Sequence, residues 1–224
     1  MPRSSGELML VGMQTFSMLQ KKLPLPEFTW DERIQRYRDV SSGRFVARAE
    51  VNAALGRVTD AIADNVRVLA EQLVNGVIGP AEFGIAMAEE LKVAHLCAAA
   101  VANGGWDRMD QSAWGRVGNV LKNEYSHLRN WVAQIQLGEA PLDGRALVRA
   151  SMYALQPFAT YQSEVRLNHI ESGEFTEERR VLDSDNPCVD CISYAADGWQ
   201  PIGTLPSIGD SQCDGNCRCY FEFR

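Results

Sequence analysis

The fold is decided by the stretch "VNAALGRVTDAIADNVRVLAEQLVNGVIGPAEF", residues 51–83. Its apolar residues recur at intervals of three and four; they are Val51, Leu55, Val58, Ile62, Val66, Leu69 and Leu73. This spacing is the period of an α-helix with one apolar face. Gly79 precedes Pro80, and proline suits the first position of a helix, where no amide donor is needed. The stretch therefore predicts a long helix, a turn and a second helix.

The same pattern continues on the C-terminal side. The second helix is predicted to run to about Ala102, a third to start near Gln111, and a fourth to cover residues 142–171. Pro157 lies inside the fourth helix and should kink or split it. Four long helices with short connections predict that neighbours pack antiparallel. We expect a mainly α fold, with this antiparallel bundle forming a helical domain over residues 31–173.

Residues 1–30 are predicted to form an N-terminal arm. A short amphipathic helix rich in methionine is followed by "LPLPEF", residues 23–28, where the prolines block a helix. The helix packs either on its own domain or on a neighbouring subunit. Its apolar run is too short to cross a membrane, and no signal-peptide pattern is present. We expect a protein made in the cytoplasm, with no membrane partner.

Residues 174–224 have a different composition, rich in glycine, proline, aspartate and cysteine. We expect a small irregular module in which "EERR", residues 177–180, forms a solvated turn. Such a module buries too little apolar surface to be stable alone. It therefore needs either a cross-link or a partner surface.

Five of the six cysteines fall in this module: Cys188, Cys191, Cys213, Cys217 and Cys219. A C-x2-C pair followed by a second cysteine cluster is typical of a structural zinc site, and all-thiolate ligation favours zinc over magnesium or calcium. Disulfides and free buried thiols are the alternatives. Because zinc takes four ligands, one cysteine is in excess, and crowding in C-x-C points to Cys219. Cys97 lies on a predicted helix face and is expected to be a small buried apolar residue.

The net charge of −7 argues against a protein that binds nucleic acid over its whole surface. An alternative function for the chain is a small zinc-stabilised regulatory module that binds DNA. The acidic loop residues argue against it, because their negative charges would repel the phosphates. The pattern "HIE", residues 169–171, followed by "PCVDC", residues 187–191, is similar to a zinc-deaminase signature. However, "HIE" falls at a helix end, and fifteen residues separate it from Pro187. We therefore expect no catalytic residues, no enzyme and no small-molecule substrate, and a zinc-dependent enzyme of deaminase-like type is the alternative.

Several segments together resemble an uncharacterised family of structural proteins from tailed bacteriophages; they are "YRDVSSGRFV" (37–46), "ELKVAHLCAAAVANGGWDRM" (90–109), "EERRVLD" (177–183), "GWQPIGTLP" (198–206) and "CDGNCRCYFEF" (213–223). The C-x-x-C and N-C-R-C pattern is also similar to the end of phage minor head or head-morphogenesis proteins. Those proteins often carry a His-Pro pair near the position of Cys213.

The resemblance implies a virion protein located in the head, at the portal vertex or in the neck. Its partners would be other head, portal or neck proteins, or further copies of the chain.

Overall fold

The computed structural model describes residues 25–184, 186–213 and 217–224. Over these residues the protein is mainly helical, and it also contains two small antiparallel sheets. The helix predicted near the N-terminus lies outside the described residues. Of the helices in the described part, none combines the length and the apolar character that a bilayer crossing requires.

The α-helices of the described residues are α1 (Arg48–Val74), α2 (Pro80–Ala102), α3 (Gln111–Gln136), α4 (Gly144–Leu155), α5 (Pro157–Ser172) and α6 (Val189–Ala196). The first three are confirmed where the apolar period predicted them. The fourth predicted helix is divided at Pro157 into α4 and α5, because proline cannot donate the amide hydrogen bond of a continuous helix. Helix α3 begins where the Asp110 carboxylate accepts a hydrogen bond from the Ala113 amide, at 2.7 Å.

Helix α2 lies at the centre of the helical part and packs against α1, α3 and α5. Near its start, Phe83 meets Trp131 of α3 edge-on, with ring centroids 5.4 Å apart. Further along, the carbonyl of Ala88 accepts a hydrogen bond from the Tyr125 hydroxyl at 3.0 Å. Residue numbers thus rise along α2 as they fall along α3, so these two helices run antiparallel.

The first sheet is a hairpin of β1 (Phe28–Asp31) and β2 (Arg36–Asp39), which the sequence analysis did not predict. It packs on the end of α2, where the Tyr37 hydroxyl donates to the Val101 carbonyl at 2.5 Å. The ring of Trp30 covers Gly104, which has a φ of +83°. A Cβ atom at Gly104 would lie only 2.5 Å from the Trp30 ring.

The second sheet places β3 (Glu177–Val181) between β4 (Gln200–Pro201) and β5 (Tyr220–Phe223), antiparallel to both. The predicted solvated turn over residues 177–180 was therefore wrong. Alternation along the strand turns Glu178 and Arg180 inward, and both are buried. Four charged residues in a row are typical of an exposed segment, whereas two of these four belong to the interior.

Glu178 is satisfied by an ion pair that ties β3 to α5. Its carboxylate accepts from Arg166 Nε at 2.7 Å and from the Leu205 amide at 3.1 Å. The Arg166 guanidinium in turn donates to the Leu205 carbonyl at 2.5 Å. A buried pair of this kind persists only when its remaining donors and acceptors are also satisfied, as they are here.

A second hydrophobic cluster joins the C-terminal module to the helices. It contains Val101 of α2 and Phe158 of α5 together with Cys191, Cys217 and Phe221 of the module. The module therefore buries its apolar side chains against the helical part and shares one core with it. The described end of the predicted N-terminal arm joins the same cluster through Leu25, which is 1% exposed.

Candidate metal centre

The start of helix α6 positions the first two thiols. Cys188 is the N-cap residue, and its sulfur accepts a hydrogen bond from the Cys191 amide at 3.5 Å. The C-x2-C spacing thus places both sulfurs at the first turn of α6. The exposed amides and the helix dipole at this end favour negative charge on sulfur.

The remaining cysteines approach from the segment before β5, and all five sulfurs gather in two overlapping sets. The first thiol group is Cys188, Cys191 and Cys213, and the second thiol group is Cys191, Cys217 and Cys219. Within each group the sulfurs lie within 4.8 Å of one another. Cys191 belongs to both groups, so it lies at the centre of the cluster. The clustered thiols could hold a metal ion.

Three of the sulfur–sulfur distances are close to the edge length of a tetrahedral metal site. Cys213 lies 3.5 Å from Cys188 and 3.7 Å from Cys191, and Cys191 lies 3.7 Å from Cys217. Four sulfurs at the usual Zn–S distance of about 2.3 Å would be separated by about 3.8 Å along the edges of the tetrahedron. A disulfide bond would require about 2.04 Å. These three pairs of sulfurs therefore have the spacing of neighbouring ligands around a metal ion and not that of a disulfide.

The hydrogen bonds of the cluster distribute its negative charge unevenly. Burial alone would raise the pKa of Cys188, but hydrogen bonds from the Cys191 amide and with the Cys213 thiol lower it to about 7. The hydrogen bond with the Cys219 thiol lowers the pKa of Cys217 to about 4, and it raises the pKa of Cys219. Burial raises the pKa of Cys213 to about 12. Each thiol group thus contains one sulfur that readily becomes a thiolate, and a bound cation would displace the other protons.

Arg180 adds a buried positive charge beside the sulfurs. It is 2% exposed, lies between the rings of Tyr194 and Phe221, and approaches the Cys191 sulfur at 3.9 Å. Its other terminal nitrogen donates to the Pro206 carbonyl. Across residues 25–184, 186–213 and 217–224, no carboxylate forms an ion pair with Arg180. A buried guanidinium requires a compensating negative charge, which thiolates would supply.

Two polar side chains fix the segment that carries Cys213. The Ser211 hydroxyl contacts the sulfur of Cys213 at 3.2 Å and that of Cys191 at 3.5 Å. The Asp190 carboxylate, in the first turn of α6, accepts from the Gln212 amide at 2.9 Å. Sequence reasoning identified the five cysteines but missed Arg180 and Ser211. The one available signal for Arg180 was that alternate residues of a strand over "EERR" would face inward. Four residues are too few to establish such a strand.

His169 and Glu171, the first part of the deaminase-like pattern, lie away from the thiol groups. The His169 Nε2 atom is 3.2 Å from Arg48 Nη2, and the imidazole packs against Phe175 and Phe223. Glu171 and His169 both line a cleft beside the β1–β2 hairpin. Neither residue belongs to either thiol group of the described chain. His95 is buried, with Nδ1 2.8 Å from the Thr160 hydroxyl. The remaining cysteine, Cys97, is buried within α2, away from the cluster.

Comparisons of the chain with protein-family models, with curated proteins and with solved structures gave no significant match.

Proposed function

We propose that the C-terminal cysteines hold one structural zinc ion per chain. The observation that carries this proposal is three sulfur–sulfur distances of 3.5–3.7 Å, which link Cys188 to Cys213, Cys213 to Cys191, and Cys191 to Cys217. Arg180 supports the proposal because four thiolates around Zn²⁺ leave a net negative charge that a buried cation would offset. Four of the five thiols would bind the metal, and Cys219 would donate to the Cys217 sulfur.

The zinc proposal is tested by measuring metal content and free thiols on the same protein, purified without chelator. We expect one zinc per chain and, once the metal is removed under denaturing conditions, six free thiols. Absence of metal together with fewer than six thiols would mean disulfides and would refute the proposal.

We further propose that the protein is a structural component of a tailed-phage virion that acts through protein–protein contacts. The sequence resemblance is the main support for this role. The helical part supports it as a spacer: we propose that α1, α2, α3 and the α4–α5 pair form an antiparallel bundle, in keeping with the antiparallel packing of α2 and α3. The N-terminal arm and the zinc-bound module would provide attachment points at the head, portal vertex or neck.

The role is tested by binding assays between the purified full chain and head, portal and neck proteins of one phage. We expect stable capture of at least one of them and no capture of an unrelated helical protein of similar charge. A chain that binds none of these proteins and does not self-associate would contradict the virion role. The zinc measurement would be unaffected by that outcome.

A further inference from the structure

A cleft of about 590 Å³ lies between the β1–β2 hairpin, the start of α1, and the ends of α2 and α5. Much of its lining is apolar or aromatic: Trp30, Tyr37, Val51, Val101, Tyr161 and Val165. Small-molecule sites typically have volumes of about 300–1,000 Å³ and an apolar lining with a few polar groups. The cleft is separate from the thiol groups and has no part in the proposed zinc site.

Arg48 supplies a positive charge to this cleft that the described residues do not balance. Its Nη1 donates to the Phe221 carbonyl at 2.7 Å, and its Nη2 lies 3.2 Å from His169 Nε2. Burial, together with Arg48 itself, lowers the pKa of His169 to about 4, so the imidazole is neutral at pH 7 and accepts the hydrogen bond. Among the described residues, both hydrogen-bonding partners of the Arg48 guanidinium, the Phe221 carbonyl and the His169 imidazole, are therefore neutral. A half-buried guanidinium in this state favours an anion beside it.

The other arginines of the cleft divide into two kinds. Arg108 pairs with Glu32 at 3.0 Å. Arg116 pairs with Glu164 at 2.7 Å. Arg36, like Arg48, makes no ion pair within the described residues. Two of the four cations that line the cleft are thus engaged by the protein, and two are available to a ligand.

The acidic residues of the lining limit the charge of that ligand. Asp110, Glu171 and Glu174 also line the cleft, and Glu171 lies 3.9 Å from the Arg116 guanidinium. Their carboxylates would repel a dianion such as a phosphate ester more strongly than a single negative charge. The combination of an apolar lining, available guanidinium groups and neighbouring carboxylates suits an apolar molecule that carries one carboxylate.

We infer that this cleft binds an apolar monocarboxylate, with Arg48 holding the carboxylate and the apolar lining holding the rest of the molecule. This binding activity goes beyond the proposed zinc-bound virion protein and does not depend on it. Arg48 would be the anchoring residue, because its guanidinium is held in place by the Phe221 carbonyl and its ring contact with Phe223.

The test is calorimetric titration of the full chain with octanoate and with octylamine, which have similar apolar tails and opposite charges. We expect saturable octanoate binding at least about tenfold tighter than octylamine binding. Arg48→Gln should weaken octanoate binding by about tenfold or more. Arg67→Gln should leave it unchanged, because Arg67 is an exposed residue of the same helix that does not line the cleft.

Three outcomes would overturn the inference. They are no saturable binding of octanoate to the unsubstituted chain, equal binding of octanoate and octylamine, and unchanged octanoate affinity in a folded Arg48→Gln protein. The comparison of the two probes needs no variant, so it decides the question even if Arg48→Gln fails to fold.

Discussion

Cys191 is the sulfur on which the proposed metal site depends most, because it belongs to both thiol groups. Its spacing from Cys188 identified it in the sequence as a candidate metal ligand. Its central position could not be predicted, since that depends on how the segment carrying Cys213, Cys217 and Cys219 folds back over α6. The sequence therefore predicted the membership of the cluster but not the order of importance within it.

The first prediction concerns this order. Cys191→Ser should reduce zinc affinity more than Cys188→Ser, because the Cys191 sulfur lies 3.7 Å from both the Cys213 and the Cys217 sulfur. It should also reduce affinity more than Cys219→Ser, because Cys219 would not bind the metal. The loss should exceed the roughly 10–100-fold typical of removing an outer partner of a metal ligand. Competition with a chromophoric chelator measures it. Cys97→Ala, away from the cluster, should keep one zinc per chain, and equal effects at all three cluster positions would refute the prediction.

Arg180 shows why a charged residue can belong to a site that the sequence does not reveal. In "EERR" it is indistinguishable from its neighbour, yet Arg180 is buried beside the sulfurs whereas Arg179 pairs with Glu222 at the surface. Only the pairing of β3 with β5 decides which of the two arginines faces inward.

The second prediction follows from this difference. Arg180→Met keeps much of the side-chain volume but removes the positive charge, so a thiolate–zinc cluster would lose its compensating cation. Zinc affinity should fall by roughly 10–100-fold. Arg179→Met is the matched control and should change affinity little, because exposed ion pairs contribute little. The same chelator competition measures both, and equal affinities would show that Arg180 does not stabilise the cluster.

At the scale of elements, the helices were predictable and the strands were not. The period of apolar residues over α1 to α3 extends for many turns, so it identifies a buried face without reference to the rest of the fold. The strands of the described residues are five residues long or shorter. Over such lengths the alternation of charged and apolar residues is weak, and their position depends on partners distant in sequence. Pro157 was informative because its effect on a helix is local.

The third prediction tests how tightly the hairpin packs on the end of α2. Gly104→Ala should destabilise the protein by more than Gly43→Ala, although both glycines have positive φ. The backbone strain, about 1–2 kcal/mol, is common to both. Only at Gly104 would the new Cβ contact the Trp30 ring, which adds about 1–3 kcal/mol for overpacking. Urea unfolding gives the two free energies, and equal losses would mean that the Trp30 ring moves aside without cost.

At the scale of the whole molecule, the helical part and the C-terminal module share a hydrophobic cluster. Composition distinguished the module from the helices, and it predicted that the module needs either a cross-link or a partner surface. It could not indicate that α2 and α5 supply that support, because contacts between residues so distant in sequence leave no local pattern. The ion pair of Arg166 with Glu178 is a second connection of this kind.

The fourth prediction concerns the free energy of unfolding of the whole molecule at acid pH. Burial lowers the pKa of His95 to about 4, whereas an unfolded histidine has a pKa near 6.5. Between these values the unfolded chain binds a proton that the folded chain does not. The free energy of unfolding should therefore fall as the pH is lowered through this window, by up to about 1.4 kcal/mol per pH unit from this residue.

Comparison of variants isolates the contribution of His95. His95→Gln should reduce the slope of unfolding free energy against pH between about 6.5 and 4, and the part contributed by His169, whose pKa is also lowered to about 4 by burial and Arg48, should persist. His127→Gln, at an exposed position of α3, should keep the slope of the unsubstituted protein. Urea unfolding at fixed metal concentration measures all three, and an unchanged slope in His95→Gln would refute the prediction.

The shared cluster also bears on events at the ribosome. Val101 and Phe158 emerge well before Phe221, their partner in the cluster. At about 5–20 residues per second, the sixty-three residues from Phe158 to Phe221 take on the order of 3 to 13 s to synthesise. During that interval the helices have no module to cover their apolar side chains. The nascent chain is then most exposed to aggregation, and the arrival of the last strand and of the metal would end that interval together.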